Sequence, residues 1–218
     1  MNFETIKGAI FDMDGVMLDS MPIWETVAGD YLISQGVTPP PDLNDKLLVL
    51  GGHEIPLYFQ TEFGLRKTTE EIHAGLYKLL EEFYFYKAPL KEGVLSVLEV
   101  FRARGIRMCV ATATDRWLVE PALKRCGVFG FFHFILTCKE ENTSKSRPDI
   151  YLRASALLGT DISGTLVVED APYAVKSAKS AGFPVVAVYD RSADDKADEI
   201  KAISDHYFIS MTEMLKIL

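Results

Sequence analysis

Four acidic residues stand directly after two apolar segments of the sequence. Asp12 and Asp14 follow the first segment, and the neighbouring pair Glu169 and Asp170 follows a much later one. Carboxylates that lie close together repel each other, so such a group needs a cation. A ligand set of hard oxygens, with few nitrogens or sulfurs, favours Mg²⁺. The four carboxylates therefore predict a magnesium site if the fold brings both pairs to one place.

Hydrogen-bond donors stand in similar positions. Thr112, Ala113 and Thr114 follow a third apolar segment, and they offer two hydroxyls and free backbone N–H groups. Lys145 lies in a polar loop after a fourth segment. An acidic protein can bind a small anion where a cation and local donors reverse the field at the site. These residues are therefore the candidate anion-binding groups beside the carboxylates.

Apolar segments that alternate with helical patterns indicate which elements position these residues. The predicted strands are 9–11, 108–111, 134–136, 165–168, 185–188 and 206–209. The predicted helices are 94–101, 150–158, 174–181 and 211–218, and helix ends are predicted at Gly105, Gly127 and Gly182. Strands that alternate with helices form parallel βαβ units, whose ligands gather outside the carboxyl ends of the strands. We therefore expect a doubly wound, mostly parallel α/β sheet with the polar residues along its carboxyl edge.

The region between the first and second strands breaks this alternation. Residues 17–87 contain no convincing buried strand, but apolar residues recur in them at helical spacing. Thr68 and Glu71 have the spacing of a capping box, which predicts the start of one of these helices. We expect an α/β core formed by residues 1–16 and 88–218, with residues 17–87 as an all-helical insert.

The composition excludes several classes of function. A formal net charge of −8 repels a phosphate backbone and therefore disfavours DNA or RNA as a partner. No apolar run approaches the roughly 18 residues of a membrane span, and the first residues lack the core of a signal peptide. Cys109, Cys126 and Cys138 have no metal-ligand or disulfide pattern and are interpreted as reduced core thiols. We expect a cytoplasmic monomer with neither nucleic acid nor membrane as a partner.

The order of these motifs resembles that of the haloacid dehalogenase (HAD) superfamily. The run from Asp12 to Val16, the threonine after a second strand, the isolated lysine and the late Glu169-Asp170 pair match its four motifs, over nearly the whole chain. The helical insert looks like the small cap of the subgroup that contains β-phosphoglucomutase and phosphoglycolate phosphatase. Members that cleave carbon–halogen bonds lack a carboxylate at the position of Asp14, so the resemblance implies a phosphate ester as the substrate.

The resemblance implies a catalytic role for each motif residue. Asp12 would be the nucleophile that forms an aspartyl-phosphate. Asp14 would protonate the leaving oxygen and then deprotonate the attacking water or hydroxyl. Thr112 and the amide of Ala113 would hold phosphoryl oxygens, while Lys145 would offset their charge. A simple strand-end cap is the alternative for Thr112.

The metal site implied by the resemblance uses the same acidic residues. Asp12, the backbone carbonyl of Asp14 and Asp170 would bind Mg²⁺. Glu169 would be a nearby carboxylate that supports the ligands, and a purely structural carboxylate is the alternative for it.

Two further segments follow the family pattern less closely. The loop of Lys145 resembles the family's Lys-Pro-x-Pro-Asp pattern, but Ser146 replaces the first proline, so we expect a less rigid loop. Asp19 and Ser20 complete the pattern that begins at Asp12. We expect them to cap the first helix of the insert and to set its hinge rather than to take part in chemistry.

The insert supplies candidate specificity residues. The segment of Gly51, Gly52 and His53 resembles the substrate-specificity loop of the family's cap, where glycines allow the close approach of a ligand. Trp24 is a further candidate that would face the site. The alternatives are a surface position for His53 and a place in the core of the cap for Trp24.

Three functions from different classes remain open. The first is a Mg²⁺-dependent phosphatase that acts on a small phosphate monoester, such as a sugar phosphate. The second is a β-phosphoglucomutase-like mutase, which has a cap histidine and a cap arginine where this chain has Trp24, and His53 or Glu54. The third is a non-catalytic module that binds a phosphate ligand, and the complete set of motifs counts against it. The expected partner is a small phosphorylated metabolite that fits under the cap.

Overall fold

The strands of the described residues form one parallel sheet. The computed structural model describes residues 2–47, 50, 52 and 54–218. Their strands are β1 (Gly8–Phe11), β2 (Arg107–Thr112), β3 (Ile135–Thr137), β4 (Thr165–Glu169), β5 (Val185–Val188) and β6 (His206–Phe208). The sheet order is β3-β2-β1-β4-β5-β6, and each neighbouring pair is parallel. The predicted doubly wound α/β fold is confirmed.

Helices connect the strands and fill the region between β1 and β2. They are α1 (Met21–Ser34), α2 (Leu43–Leu47), α3 (Ile55–Phe63), α4 (Thr69–Tyr86), α5 (Val94–Ala103), α6 (Arg116–Arg125), α7 (Asp149–Leu158), α8 (Pro172–Ser180), α9 (Ala197–Ile203) and α10 (Met211–Met214). Short 3₁₀ helices occupy Phe3–Thr5, Phe129–Phe131 and Arg191–Lys196. The predicted helix ends are confirmed, because positive φ angles follow α5, α6 and α8 at Gly105, Gly127 and Gly182.

The last helix is shorter than predicted. We expected it to reach residue 218, but α10 ends at Met214. The buried residues of α10 are Met211 and Met214. The buried face of this helix thus ends at Met214, so packing does not support further helical turns. A helix this short depends on tertiary contacts rather than on its own hydrogen bonds.

The core lies on both faces of the sheet, which explains why the central strands are continuous apolar runs. On one face, Ile10 belongs to the same buried cluster as Tyr151 on α7 and Val175 on α8. On the other face, the ring of Phe11 lies 5.9 Å from that of Phe101 on α5. Each large apolar side chain buried in this way stabilises the fold by about 1.5–3 kcal/mol. Strong burial on both faces fixes where the carboxyl ends of the strands lie.

The three cysteines are free thiols. Cys109 and Cys138 are buried, whereas Cys126 is only partly buried because it caps the end of α6. Burial raises the pKa of the Cys109 thiol well above its ordinary value, which keeps it protonated and unreactive. The core position expected for all three is therefore wrong for Cys126. Within the described ranges, no helix is long and apolar enough to cross a membrane.

The chain divides into two compact units. Met1–Met21 and Ala88–Leu218 form the first, and Pro22–Lys87 forms the second. Leu18 forms an isolated bridge to Leu90, which keeps the residues just after β1 within the first unit. The predicted insert begins earlier, and its assignment as a cap domain stays a prediction.

The second unit has a core of its own. Tyr31 on α1 packs against Phe59 on α3 with ring centroids 6.1 Å apart, and Ile72 on α4 is fully buried in the same cluster. The capping box at the start of α4 is confirmed, since Thr68 and Glu71 each accept a hydrogen bond from the other's backbone N–H. Such a cap contributes about 1 kcal/mol to helix stability. The described residues of this unit contain helices and turns without strands, as predicted.

Candidate active site

The loop after β1 carries the first acidic residues past the edge of the sheet. The N–H of Asp12 donates to the carbonyl of Val168 over 3.0 Å, so Asp12 extends the pairing of β1 with β4. Gly15 has a φ of 76°, and a Cβ atom there would collide with the carboxylate of Asp170. A side chain is disfavoured on both counts. The close passage of this loop beside Asp170 therefore requires glycine at position 15.

The two acidic pairs come together at this edge. Asp12, Glu169 and Asp170 each offer a carboxylate oxygen, and these three oxygens lie within 4.8 Å of one another. All three residues are buried. The strand register explains their proximity, because Phe11 pairs with Val168 and the residues that follow leave the sheet side by side. We call Asp12, Glu169 and Asp170 the acidic cluster.

The negative charges of the acidic cluster are only partly compensated by the positive charge of Lys145. Burial and the charges of Glu169 and Asp14 raise the pKa of Asp12 to about 8, although Lys145 acts in the opposite direction. Burial and the charges of Asp12 and Glu169 raise the pKa of Asp170 well above its ordinary value. A further cation would stabilise the ionised carboxylates. Buried carboxylate oxygens are the donor set that fits Mg²⁺.

Lys145 supplies one positive charge inside this group. Its side chain is 3% exposed, and its Nζ lies 2.5 Å from Asp12 Oδ1 and 2.7 Å from Glu169 Oε1. Burial alone would lower the pKa of this ammonium, but the two carboxylates outweigh burial and raise it above its ordinary value. Lys145 is therefore charged at neutral pH and lies directly against Asp12.

Glu169 holds Lys145 in place. Its side chain is fully buried, and Oε1 accepts hydrogen bonds from Lys145 and, over 2.8 Å, from the hydroxyl of Tyr151 on α7. Its other oxygen accepts from the N–H of Asp170. Tyr151 was not among the predicted site residues, because its place in an apolar helical stripe carries no signal that the hydroxyl meets a carboxylate.

The end of β2 brings the predicted donors to the same edge. Thr112 is fully buried, and its Oγ1 accepts a hydrogen bond from the N–H of Thr114 over 3.1 Å. This bond is the strand-end cap named above as the alternative role, and it leaves the hydroxyl hydrogen able to donate. Ala113 is exposed between the two threonines. The loop thus combines a capped turn with an accessible backbone.

Two hydroxyls bind the carboxylate of Asp14. Thr114 donates to Asp14 Oδ2 over 2.7 Å, and Ser20 donates to Asp14 Oδ1 over 2.5 Å. Neither contact was predicted. Thr114 was predicted only as a donor after β2, because the partner of its hydroxyl depends on how the loops after β1 and β2 fold. These two bonds orient the Asp14 carboxylate.

The predicted specificity residues belong to the second unit. The indole N–H of Trp24 donates to the hydroxyl of Tyr84 over 3.0 Å, and Trp24 is 41% exposed. Gly52 is exposed with open space around it. Gly51 and His53 lie outside the described residues. The roles of all four residues stay predictions.

Residues 9–188 match the family model of the haloacid dehalogenase-like hydrolases. The match covers most of the chain, and the chain belongs to this family. The resemblance recognised in the order of the four motifs is thereby confirmed, as is the expectation that the protein is a hydrolase of this family.

Individual relatives resemble the chain along its length. Hexitol phosphatase B of Escherichia coli (strain K12) is 26% identical over 215 residues, which cover 96% of this chain and 94% of the relative. The phosphorylated carbohydrates phosphatase of Thermotoga maritima is 26% identical over 184 residues, 82% of each chain. A Thermotoga maritima structure provisionally named a β-phosphoglucomutase has a TM-score of 0.83 and 22% identity, and covers 98% of this chain and 100% of its own. The structural similarity confirms the fold.

Proposed function

We propose that this chain is a Mg²⁺-dependent phosphatase that hydrolyses a small phosphate monoester of the sugar-phosphate class. The observation that carries the proposal is the convergence of the acidic cluster around the ammonium of Lys145. A buried group of this kind suits a divalent cation and one carboxylate that attacks phosphorus. The relatives named as hexitol and carbohydrate phosphatases support the substrate class.

Asp12 and Asp14 divide the chemistry between them. Asp12 attacks phosphorus, an aspartyl-phosphate forms, and the ester P–O bond breaks while Asp14 gives its proton to the leaving oxygen. Asp14 then takes a proton from water, which attacks the aspartyl-phosphate and releases inorganic phosphate. Ser20 and Thr114 support this role because they hold both oxygens of Asp14.

The remaining residues bind and orient the transferring group. Asp12, the backbone carbonyl of Asp14 and Asp170 would hold Mg²⁺, which when bound neutralises carboxylates and draws charge from phosphoryl oxygens. The hydroxyl of Thr112 and the N–H of Ala113 donate to phosphoryl oxygens. Lys145 offsets the charge that builds up on them.

A screen of metabolite phosphates tests the proposal directly. Purified protein is incubated with sugar phosphates and other small phosphate esters, with Mg²⁺ and again after chelation, and released phosphate is measured. Release that depends on Mg²⁺ supports the phosphatase. Conversion of β-glucose 1-phosphate to glucose 6-phosphate in the presence of the bisphosphate indicates the mutase instead. Retained ligand binding without turnover of any ester indicates a binding module and overturns the proposal.

Mg²⁺ is expected to raise the melting temperature of the metal-free protein by roughly 5–10 °C. An ion present at 100 times its Kd stabilises the folded state by about 2.7 kcal/mol, and 1 kcal/mol shifts Tm by about 2–4 °C for a chain of this size. Asp170→Asn should remove most of this shift, because it takes away a buried carboxylate of the acidic cluster. The measurement is differential scanning calorimetry with and without Mg²⁺.

Asp149→Asn is the matched control for the metal prediction. Asp149 is an exposed carboxylate at the start of α7, paired with Arg147 on the surface. Its variant should keep the full shift. An equal shift in Asp170→Asn and wild type would show that the ion binds elsewhere.

Asp14→Asn is expected to slow hydrolysis of alkyl phosphates by about 10²–10⁴-fold, the usual contribution of a positioned acid. The rate on p-nitrophenyl phosphate should fall much less, because its leaving group departs without a proton. Steady-state phosphate release on both esters measures the difference. The fully exposed carboxylate of Asp198 on α9 provides the control Asp198→Asn, which should leave both rates unchanged. Equal losses on the two esters would remove Asp14 from the acid role.

A further inference from the structure

Lys91 lies outside the four motifs, but its ammonium is bonded to the loop that carries Asp14. Its Nζ donates to the carbonyl of Gly15 over 2.6 Å, to the carbonyl of Tyr189 over 2.8 Å and to Asp190 Oδ2 over 2.9 Å. An ammonium has three N–H groups, so each one has a partner. The side chain is 18% exposed. Lys91 therefore connects the loop after β1 to the loop after β5.

Asp190 is a buried carboxylate whose orientation toward Lys91 is fixed by further hydrogen bonds. Its side chain is 5% exposed, and its second oxygen accepts from the N–H and the hydroxyl of Ser192 over 3.0 and 2.7 Å. Burial would raise the pKa of Asp190, but the bonds from Ser192 and Lys91 outweigh burial and lower it. Asp190 is thus ionised, and both members of the pair have several hydrogen-bond partners.

The backbone of Lys91 holds the other end of the same loop. Its N–H donates to the carbonyl of Met17 over 2.8 Å. The N–H of Gly15 donates to the carbonyl of Leu18 over 3.0 Å, and Leu18 forms a bridge to Leu90. The turn from Gly15 to Leu18 is therefore closed upon itself and attached to Lys91 at two points.

Gly15 makes this attachment necessary. A glycine has no Cβ to restrict its φ and ψ, so the turn directly after Asp14 is intrinsically soft. A side chain there is disfavoured by the φ of 76° and by the carboxylate of Asp170. The ammonium of Lys91 supplies from outside the restraint that a side chain would otherwise give.

We propose that Lys91 is a positioning residue, which fixes the Gly15 turn through the Gly15 carbonyl and Asp190 and so keeps the Asp14 carboxylate aligned with the leaving oxygen. The inference rests on the proposed function. Misplacing a catalytic group by about 1 Å costs on the order of 100-fold in rate. The effect acts on proton donation by Asp14, so it depends on the leaving group.

Lys91→Met tests the proposal with two esters of the same kind, phenyl phosphate and p-nitrophenyl phosphate. We expect kcat/KM for phenyl phosphate, the poorer leaving group, to fall about 10–100-fold, because this ratio covers the steps up to loss of the leaving group. For p-nitrophenyl phosphate, kcat/KM should fall by less than about threefold, because its leaving group departs without a proton and the groups that bind the ester are untouched. A folded variant that loses both rates equally, or neither, overturns the proposal.

Two further variants keep the test decisive. Lys91→Met leaves Asp190 buried without its cation, so the double variant Lys91→Met/Asp190→Asn removes that charge while still releasing Gly15, and it should show the same selective loss. Lys179→Met is the matched control. Lys179 pairs with Asp205 at 2.7 Å. Lys179 is near the end of α8 and Asp205 directly precedes β6, so the pair lies at the amino edge of the sheet, opposite the carboxyl edge that carries the candidate site. Lys179→Met should hydrolyse phenyl phosphate and p-nitrophenyl phosphate at the wild-type rates.

Hydrogen exchange separates this proposal from the proposed function. The N–H of Gly15 should exchange at least about tenfold faster in Lys91→Met than in wild type or Lys179→Met, because the Gly15 carbonyl loses its ammonium partner while only the backbone bond to Met17 remains. Unchanged exchange at Gly15 overturns the role of Lys91 whatever the enzyme's activity. Failure of the wild-type protein to release phosphate from these two esters or from any ester of the metabolite screen, with faster exchange in Lys91→Met, would instead remove the proposed function and leave the attachment of the turn in place.

Discussion

Asp12→Asn is expected to abolish phosphate release while leaving the fold intact. An amide is not a nucleophile, so the aspartyl-phosphate cannot form, and losing a nucleophile costs about 10⁴–10⁶-fold in turnover. The fold should tolerate the change, because Asn has nearly the same shape as Asp. Burial already raises the pKa of Asp12 to about 8, so the buried charge is costly in the metal-free protein. Lys145 keeps its bond to Glu169.

Three measurements check the Asp12 prediction. Phosphate release on the best ester from the screen gives the loss in rate, and thermal unfolding without metal should give a Tm no lower than that of wild type. Intact-mass analysis after rapid acid quench should detect a phosphorylated chain for wild type and not for Asp12→Asn. Near-normal turnover by this variant would show that another residue attacks phosphorus.

Lys145→Met should lose both stability and activity. Lys145 is the buried cation between two carboxylates, at 2.5 Å from Asp12 and 2.7 Å from Glu169. Removing one partner of a buried ion pair destabilises a protein by about 3–5 kcal/mol, since the other charge is left unpaired. Asp12 can take up a proton, so we expect about 3 kcal/mol, near the lower end of this range. Turnover should fall at least about 10³-fold, because an electrostatic donor to the phosphoryl group is lost.

The chain offers a matched lysine for comparison. Lys139 stands at the other side of the same loop, with a side chain that is 71% exposed and paired with Asp115 at 2.8 Å. The ammonium of Lys139 is solvated, although Asp115 is 16% exposed, so Lys139→Met should change the free energy of unfolding by about 1 kcal/mol, well below the loss in Lys145→Met. Urea unfolding at pH 7 without metal compares the two variants. Similar losses in both would mean that Lys145 is not the buried partner of the acidic cluster.

Local patterns were sufficient to predict the sheet and most of its connections. Apolar runs identified the strands, because a strand covered on both faces must be apolar throughout. Glycine identified helix ends at Gly105, Gly127 and Gly182, since the left-handed conformation after a helix favours it. The closing helix was predicted too long because length depends on packing, which the pattern of residues 211–218 does not report.

Local sequence was enough to predict which residue types stand at the carboxyl edge of the sheet. Parallel strands must end at one edge, so Asp12 and Asp170 could be expected to meet before any distance was known. The tertiary structure decided which atoms touch. In it, the Asp14 carboxylate accepts hydrogen bonds from Ser20 and Thr114, and the Tyr151 hydroxyl donates to Glu169. The Lys91 ammonium donates to the carbonyl of Gly15. Except for the contact of Ser20 with Asp14, these contacts join separate segments of the chain. Side-chain direction between such segments depends on register and packing rather than on local periodicity.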